Sequence, residues 1–546
     1  MNKIIHSLAI LVWCAFISGC SRSKEKADLI VHNAHIYTVD AGFSIAQAFA
    51  VRDGRFVAVG SSSELMSKYE APMIVDAEGK AIYPGFIDAH AHFYRYGLGL
   101  KVADLLGSES EEELVERVRL HHENNPDVAW ILGRGWDQNL WESKEFPSRE
   151  MLDSLFPDKP VLLTRIDGHA ALANQKALDL GGITAKTEMI GGKVILRDGM
   201  PTGVLIDNAI QMVSRRVPEP TDSESRAALD LAQANCFEVG LTTVADAGLD
   251  RSTIELIARM HREGSLHMRI YAMVNPTVEN RKHYFEIGPF QDDLLTVRSF
   301  KIYGDGALGS RGAALLKPYH DHPGNYGFLL QKPEEFDALA MEIHENGFQM
   351  NTHCIGDSAN RTLLDIYAKY LKGKNDLRWR IEHAQVVSVE DMSKFAAYSV
   401  IPSVQPTHAT SDMYWAGNRL GPMRVKTAYA YKDLLDQNSM LALGSDFPVE
   451  HINPLYGFFA AVVRKDAQNW PEEGYQIENR ITREAALKGM TIWAAFANFE
   501  EHLKGSIEVG KLADFVLLEK DIMLAPESEL RETKVHATYI GGRKVF

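Results

Sequence analysis

Residues 81–92 read AIYPGFIDAHAH, an apolar run that turns into an alternation with Asp88, His90 and His92 two residues apart. Side chains two apart on a strand share a face, so a carboxylate and two imidazoles project together from this one. Seven further stretches have the same strand-like make-up: 241–248 (LTTVADAG), 268–275 (MRIYAMVN), 297–306 (VRSFKIYGDG), 348–353 (FQMNTH), 378–383 (RWRIEH), 400–406 (VIPSVQP) and 440–446 (MLALGSD). Helix-like stretches lie between many of them, such as 333–347 (PEEFDALAMEIHENG) and 358–373 (SANRTLLDIYAKYLKG). The pattern predicts an α/β protein whose eight strand and helix units close into a (β/α)8 TIM barrel, with an open doubly wound sheet as the alternative.

Outward from the barrel, both ends of the chain are β-rich. Residues 29–81 run in short alternating segments punctuated at Asp53-Gly54 and Gly79, and the last segments, 505–521 (GSIEVGKLADFVLLEKD) and 535–546 (VHATYIGGRKVF), repeat that style. Such segments read as hairpins, so residues 29–82 and 499–546 are expected to build one small composite β-sandwich, with the barrel at 83–498. The stretch from about 100 to 235 is longer than one strand-to-helix loop needs and must hold an inserted subdomain.

At the amino terminus Lys3, the apolar run Leu8 to Ile17 and Ile17-Ser18-Gly19-Cys20 form a signal segment. The last four residues resemble the lipobox of bacterial lipoproteins, in which residues 1–19 are removed and Cys20 carries the lipid; an ordinary cleaved signal peptide is the alternative. With Ser21 following, the resemblance implies a cell-envelope protein held in the outer membrane and facing the periplasm. Residues 20–28 would be a polar tether, and the lipid the sole membrane contact.

The 546 residues are 45% apolar and 24% charged, enough for a large buried core. A formal charge of −15 gives no surface for tracking phosphates and argues against nucleic acid as a partner. Four cysteines are too few and too scattered for a disulfide framework, whereas twenty histidines leave ample imidazole for a metal.

Those histidines gather at strand ends. His353 and His383 close the fifth and sixth stretches and Asp446 closes the eighth, at the carboxyl end where a barrel places its active site. Nitrogen and carboxylate ligands without thiolate suit zinc, and also manganese or iron. Lys301, in FKIYGDG, either reaches solvent, pairs with Asp305, or belongs to the same site.

The set Asp88-Ala-His90-Ala-His92, Lys301 with Gly304-Asp305-Gly306, His353 with Ile355-Gly356-Asp357, Arg380-Ile-Glu-His383 and Gly444-Ser-Asp446 resembles the amidohydrolase superfamily. Further ordered motifs, among them Gly-Trp136-Asp137-Gln-Asn-Leu-Trp141, Asp167-Gly-His169 and Gln405-Pro-Thr-His408, are similar to its family 3 branch, which includes N-substituted formamide deformylases. The resemblance implies a distorted barrel beside a composite sandwich and a centre of one or two divalent ions. By it, His90 and His92 hold the first ion, Lys301 is carboxylated by carbon dioxide to a bridging carbamate, His353 and His383 hold the second, and Asp446 is ligand and general acid/base. The implied function is a metal-dependent amidohydrolase that cleaves a carbon–nitrogen bond in a small non-peptide amide, formamide or cyclic amide. Two alternatives stand beside it: deamination, ester hydrolysis or isomerisation on the same centre, and a catalytically silent lipid-anchored binding or regulatory protein.

Four more residues are expected near the substrate, each with a structural alternative. His169 and His408 could donate to the oxyanion or serve as structural hydrogen-bond partners. Trp136, with Trp141, could form an apolar lid or the core of the insertion. Arg311 could bind a substrate carboxylate or pair with an acid such as Asp305. Cys354 points away from the ligands and reads as packing, and a homo-oligomer is compatible with the composition.

Overall fold

The stretch 81–92 divides at Gly85 rather than forming one strand. Ala81–Pro84 belongs to a six-stranded sheet shared by both chain ends, and Phe86–Ala91 (β1) opens the barrel sheet. The chain passes so close to the next barrel strand at Gly85 that a Cβ there would overlap the Thr242 side chain. A glycine is the residue that fits such an approach.

In the computed structural model, which describes residues 23–546, eight parallel strands follow in order: β1, β2 (Leu241–Leu249), β3 (Arg269–Val274), β4 (Leu295–Tyr303), β5 (Gln349–Cys354), β6 (Arg380–His383), β7 (Ile401–Val404) and β8 (Ala442–Leu443). The barrel is nearly closed. In place of a regular ladder between β8 and β1, the Asp446 N–H donates to the His90 carbonyl and the His92 N–H to the Phe447 carbonyl, both at 2.8 Å. Strand alternation sorts the side chains. Ile302, Met350, Cys354 and Ile381 pack into the main apolar core, and the alternate positions Ser299, Lys301, Asn351, His353 and Glu382 are buried polar groups. Cys354 is therefore a packing residue.

The two chain ends form a sandwich, because each contributes strands that are apolar on one face. A four-stranded sheet (55–60, 48–52, 29–32, 73–76) packs on a six-stranded one (543–544, 535–540, 515–518, 81–84, 35–37, 45–46) through Leu29, Val31, Phe49, Phe56, Ile82, Phe515 and Leu517. Structure begins earlier than the expected tether allows. Glu25–Lys26 pairs in parallel with Tyr69–Glu70, and the Ala27 N–H donates to the Glu70 carbonyl at 2.9 Å. The signal segment and Cys20 lie outside the described residues.

The insertion carries its own six-stranded sheet, from Ala103 to Asp207 in sequence, with a core around Leu105, Leu114, Trp136 and Leu163. Helix Asp222–Glu238, which the sequence boundary near 235 counts with the insertion, packs instead on helix Phe93–Gly99 and on β2.

Candidate metal centre

The site lies at the carboxyl ends of the strands, as a barrel dictates. Among the described residues, His90, His383 and Asp446 present ligand atoms that all lie within 4.8 Å of one another. His92 joins them, with Nε2 3.2 Å from Asp446 Oδ1, although it caps helix Phe93–Gly99 rather than ending β1. Lys301 Nζ lies 3.1 Å from His90 Nε2 and 4.6 Å over the Tyr303 ring. It is buried and pairs with no carboxylate among the described residues, Asp305 included. The Asp305 carboxylate instead accepts the N–H groups of Ala314, Ile355 and Gly356 at 2.8–2.9 Å. His353 stands beside the group, its ring 4.6 Å from that of His383, with Nε2 turned 3.5 Å from the Gly306 carbonyl.

Two strand ends bend to achieve this. His383 and Asp446 take φ of 72° and 63°, a left-handed conformation that costs L residues of order 1 kcal/mol and aims each side chain inward.

The imidazoles are held so that one nitrogen stays available. His90 Nδ1 meets Glu382 Oε2 at 2.6 Å, His92 Nδ1 meets the Ala247 carbonyl at 2.9 Å, and His383 Nδ1 meets Gln405 Oε1 at 2.7 Å. Each contact fixes a tautomer and leaves Nε2 for the centre. Burial pushes His353 and His383 well below the usual imidazole range and His92 down to about 3, so all three offer lone pairs at neutral pH. Burial opposes ionisation of Asp446 most strongly, but the imidazoles of His92, His90 and His383 outweigh it and hold the carboxyl well below its ordinary value. Its Oδ1 is buried and lacks a hydrogen-bond partner. An orphaned carboxylate oxygen among imidazoles is a donor set that fits a divalent ion of nitrogen and oxygen preference.

Around this core the other expected residues divide. His408, on helix Pro406–Asp412, stacks 5.8 Å from the His383 ring, with Nε2 3.8 Å from Asp446 Oδ2. His169 comes from the insertion, its ring 4.8 Å from that of His353. Trp136 is no lid. It is fully buried in the insertion core and its Nε1–H donates to the Leu163 carbonyl at 2.8 Å, while Trp141 donates to Ser108. Arg311 pairs with Asp321 at 3.0 Å, not with Asp305, on a cavity shared with Trp415 and Arg419. Glu382, Gln405 and Asp207 received no role from sequence, although Glu382 and Gln405 stand within quoted motifs. Their partners lie 292, 22 and 38 residues away, beyond any local pattern.

Residues 73–546 match the amidohydrolase family. The chain is 36% identical over 554 residues to the Arabidopsis thaliana protein LONG AFTER FAR-RED 3, covering 98% of this chain and 94% of the relative. It is 28% identical over 546 residues to the N-substituted formamide deformylase of Arthrobacter pascens, covering 95% and 98% of the two. The crystal structure of a metal-dependent hydrolase from Pyrococcus horikoshii superposes with a TM-score of 0.74 at 28% identity, over 91% of this chain and 99% of that one. The matched residues contain the whole barrel and every candidate ligand position at the mouth, and the chain belongs to the amidohydrolase family of metal-dependent hydrolases.

Proposed function

We propose that this hydrolase cleaves a carbon–nitrogen bond in a small non-peptide amide, with formamides foremost. The observation that carries the reading is Asp446: an ionised, buried carboxylate with one oxygen free of hydrogen bonds, set among three imidazoles. His90, His92, His353, His383 and Asp446 would hold one or two divalent ions, zinc foremost, and Lys301, carboxylated by carbon dioxide, would bridge them. Such an ion supplies Lewis acidity toward the carbonyl and toward water at neutral pH.

The protein's own residues do the rest. Asp446 accepts the proton of the attacking water and passes it to the departing nitrogen, which amide cleavage requires because an unprotonated amine leaves poorly. Glu382 and Gln405 keep the ligand rings from turning. Similarity to a formamide deformylase over nearly the full length supports the choice of bond.

The test takes the zinc-loaded mature protein against N-alkylformamides, anilides, cyclic imides and matched esters. Formamide or amide cleavage is expected, falling at least about 10³-fold in Asp446→Asn per zinc-loaded protein, with turnover compared at equal measured zinc content. Wild-type turnover in that variant would remove Asp446 from the chemistry, and turnover of esters alone would remove the amide reading. We also propose that Cys20 carries a lipid in the cell envelope, on the strength of Ile17-Ser18-Gly19-Cys20. Cys20→Ala should then release the protein from membranes, and continued membrane association would refute it.

A further inference from the structure

The insertion meets the metal centre through one turn, Arg165 to Ala170, and that turn is held from several sides. Arg134 Nη2 donates to the Ile166 carbonyl at 2.9 Å, Arg165 Nη1 to Asp167 Oδ2 at 2.5 Å, and the His169 N–H to Asp167 Oδ1 at 3.0 Å. The Asp207 N–H donates to the His169 carbonyl at 3.0 Å, and Gly168 turns the chain with a φ of 75°. His169 is thus fixed in backbone before its ring is considered.

The ring is fixed as well. His169 Nδ1 lies 2.5 Å from Asp207 Oδ1, and the Asp207 side chain is almost wholly buried. Asp207 adopts φ 49°, ψ −118°, a sparsely populated region that costs about 1–3 kcal/mol. Its carboxylate is wedged over Gly306 and Gly312 of the loop after β4, where a Cβ on either glycine would crowd Oδ2. These contacts clasp the insertion to the loop that follows Lys301. Packing does not demand such strain, since the insertion has two apolar cores of its own. Strain of this kind persists where the surroundings over-determine a residue, as they do around bound ligands. The Nε2 of His169 has no hydrogen-bond partner among the described residues, and the side chain keeps 15% of its surface open beside His353.

We infer that the insertion supplies the reaction centre with a substrate-contacting residue: His169, its Nδ1 locked by Asp207, accepts a hydrogen bond from the N–H of the substrate's reacting amide through Nε2. The inference rests on the amide-hydrolase reading for the identity of that group. His169 is the catalytic residue in this arrangement, and Asp207 is a positioning residue that acts through it. A ring fixed through Nδ1 by Asp207 needs no reordering when substrate arrives, so its contact serves initial binding and, more strongly, the transition state.

The probe is benzohydroxamate, a planar acyl mimic that chelates metal ions, titrated calorimetrically into zinc-loaded wild type, His169→Gln and Asp207→Asn. Zinc content and melting temperature are measured on the same samples. Affinity should fall about tenfold in His169→Gln, the worth of one hydrogen bond in a buried site, and less in the isosteric Asp207→Asn, with zinc content unchanged. On an N-alkylformamide, kcat should fall about 100-fold in His169→Gln with KM raised no more than about tenfold, and Asp207→Asn should show the same split more weakly. Hydroxamate affinity within twofold of wild type would overturn the inference. So would a loss of affinity accounted for by lost zinc, which would make His169 a prop of the metal centre. Failure of the amide reading shows separately, as a wild-type enzyme that turns over no amide while the hydroxamate comparison still reports on His169.

Discussion

Glu382 Oε2 lies 2.6 Å from His90 Nδ1, with neither side chain exposed to solvent. Burial alone would raise the Glu382 carboxyl, but the neighbouring His90 and Arg380 outweigh it and lower it, so the group stays charged. A charged acceptor on Nδ1 keeps the Nε2 lone pair of His90 basic and correctly aimed. Glu382→Gln preserves the shape and removes the charge. Zinc affinity, measured by competition with a chelator, should weaken about 10- to 100-fold. An unchanged affinity would show that the His90 ring needs no anionic partner. This one contact explains why Glu382 precedes His383: strand β6 presents both neighbours to the barrel interior because His383 sits at positive φ after Glu382 has pointed inward.

At the scale of elements, helix Asp357–Leu371 begins immediately after the loop that follows His353. Gly356, its N-cap, has an ordinary φ of −77°, so glycine is not there for conformational freedom. It is there for space, because a Cβ would overlap the Ala314 carbonyl, a backbone atom that cannot swing aside. The same loop is pinned by the Asp305 carboxylate, which gathers the N–H groups of Ala314, Ile355 and Gly356. Gly356→Ala should therefore destabilise the protein by about 3 kcal/mol, the upper part of the ordinary range for overpacking. The urea midpoint of the zinc-free protein measures it. A midpoint equal to wild type would mean that the Ala314 loop yields freely and does not brace the β4 and β5 ends.

For the whole molecule, the decisive contact joins the barrel floor to the carboxyl-terminal strands. Arg269, at the start of β3, donates Nε and Nη2 to the two oxygens of Asp514 at 2.6 and 2.8 Å, both residues buried. Burial opposes the ionisation of Asp514, yet Arg269 and the Gly541 N–H outweigh it and set its pKa below the usual 3.8. Asp514→Asn would leave a buried guanidinium without its counter-ion and should cost about 3–5 kcal/mol at neutral pH. The sign of the pH dependence follows from the depressed value. The contribution is whole above the unfolded carboxyl's pKa and is lost as pH falls through the lower folded value. The gap in urea midpoint between wild type and variant should therefore narrow as pH drops below about 4. A gap that stays constant down to strongly acid pH would show that Asp514 acts through packing rather than charge.

Local pattern by itself determined a good deal of this protein. The two-residue spacing of His90 and His92, the polar residues closing the apolar runs at His353, His383 and Asp446, and the hairpin signals at both chain ends are legible because strand period and turn chemistry act over a few residues. They were enough for an eight-stranded barrel and for a set of polar residues at its mouth, whereas the ligand roles, that of Lys301 above all, came only from the family resemblance. The break at Gly85 was not legible, since what forbids a side chain there is Thr242, more than 150 residues further on. Neither were the choice of Leu163 as the partner of Trp136, the pairing of Arg311 with Asp321, the support of His90 by Glu382 or the clasp of Asp207 on His169. A side chain's period states which face it occupies. Which partner it meets depends on how whole layers pack, and only the tertiary structure decided that.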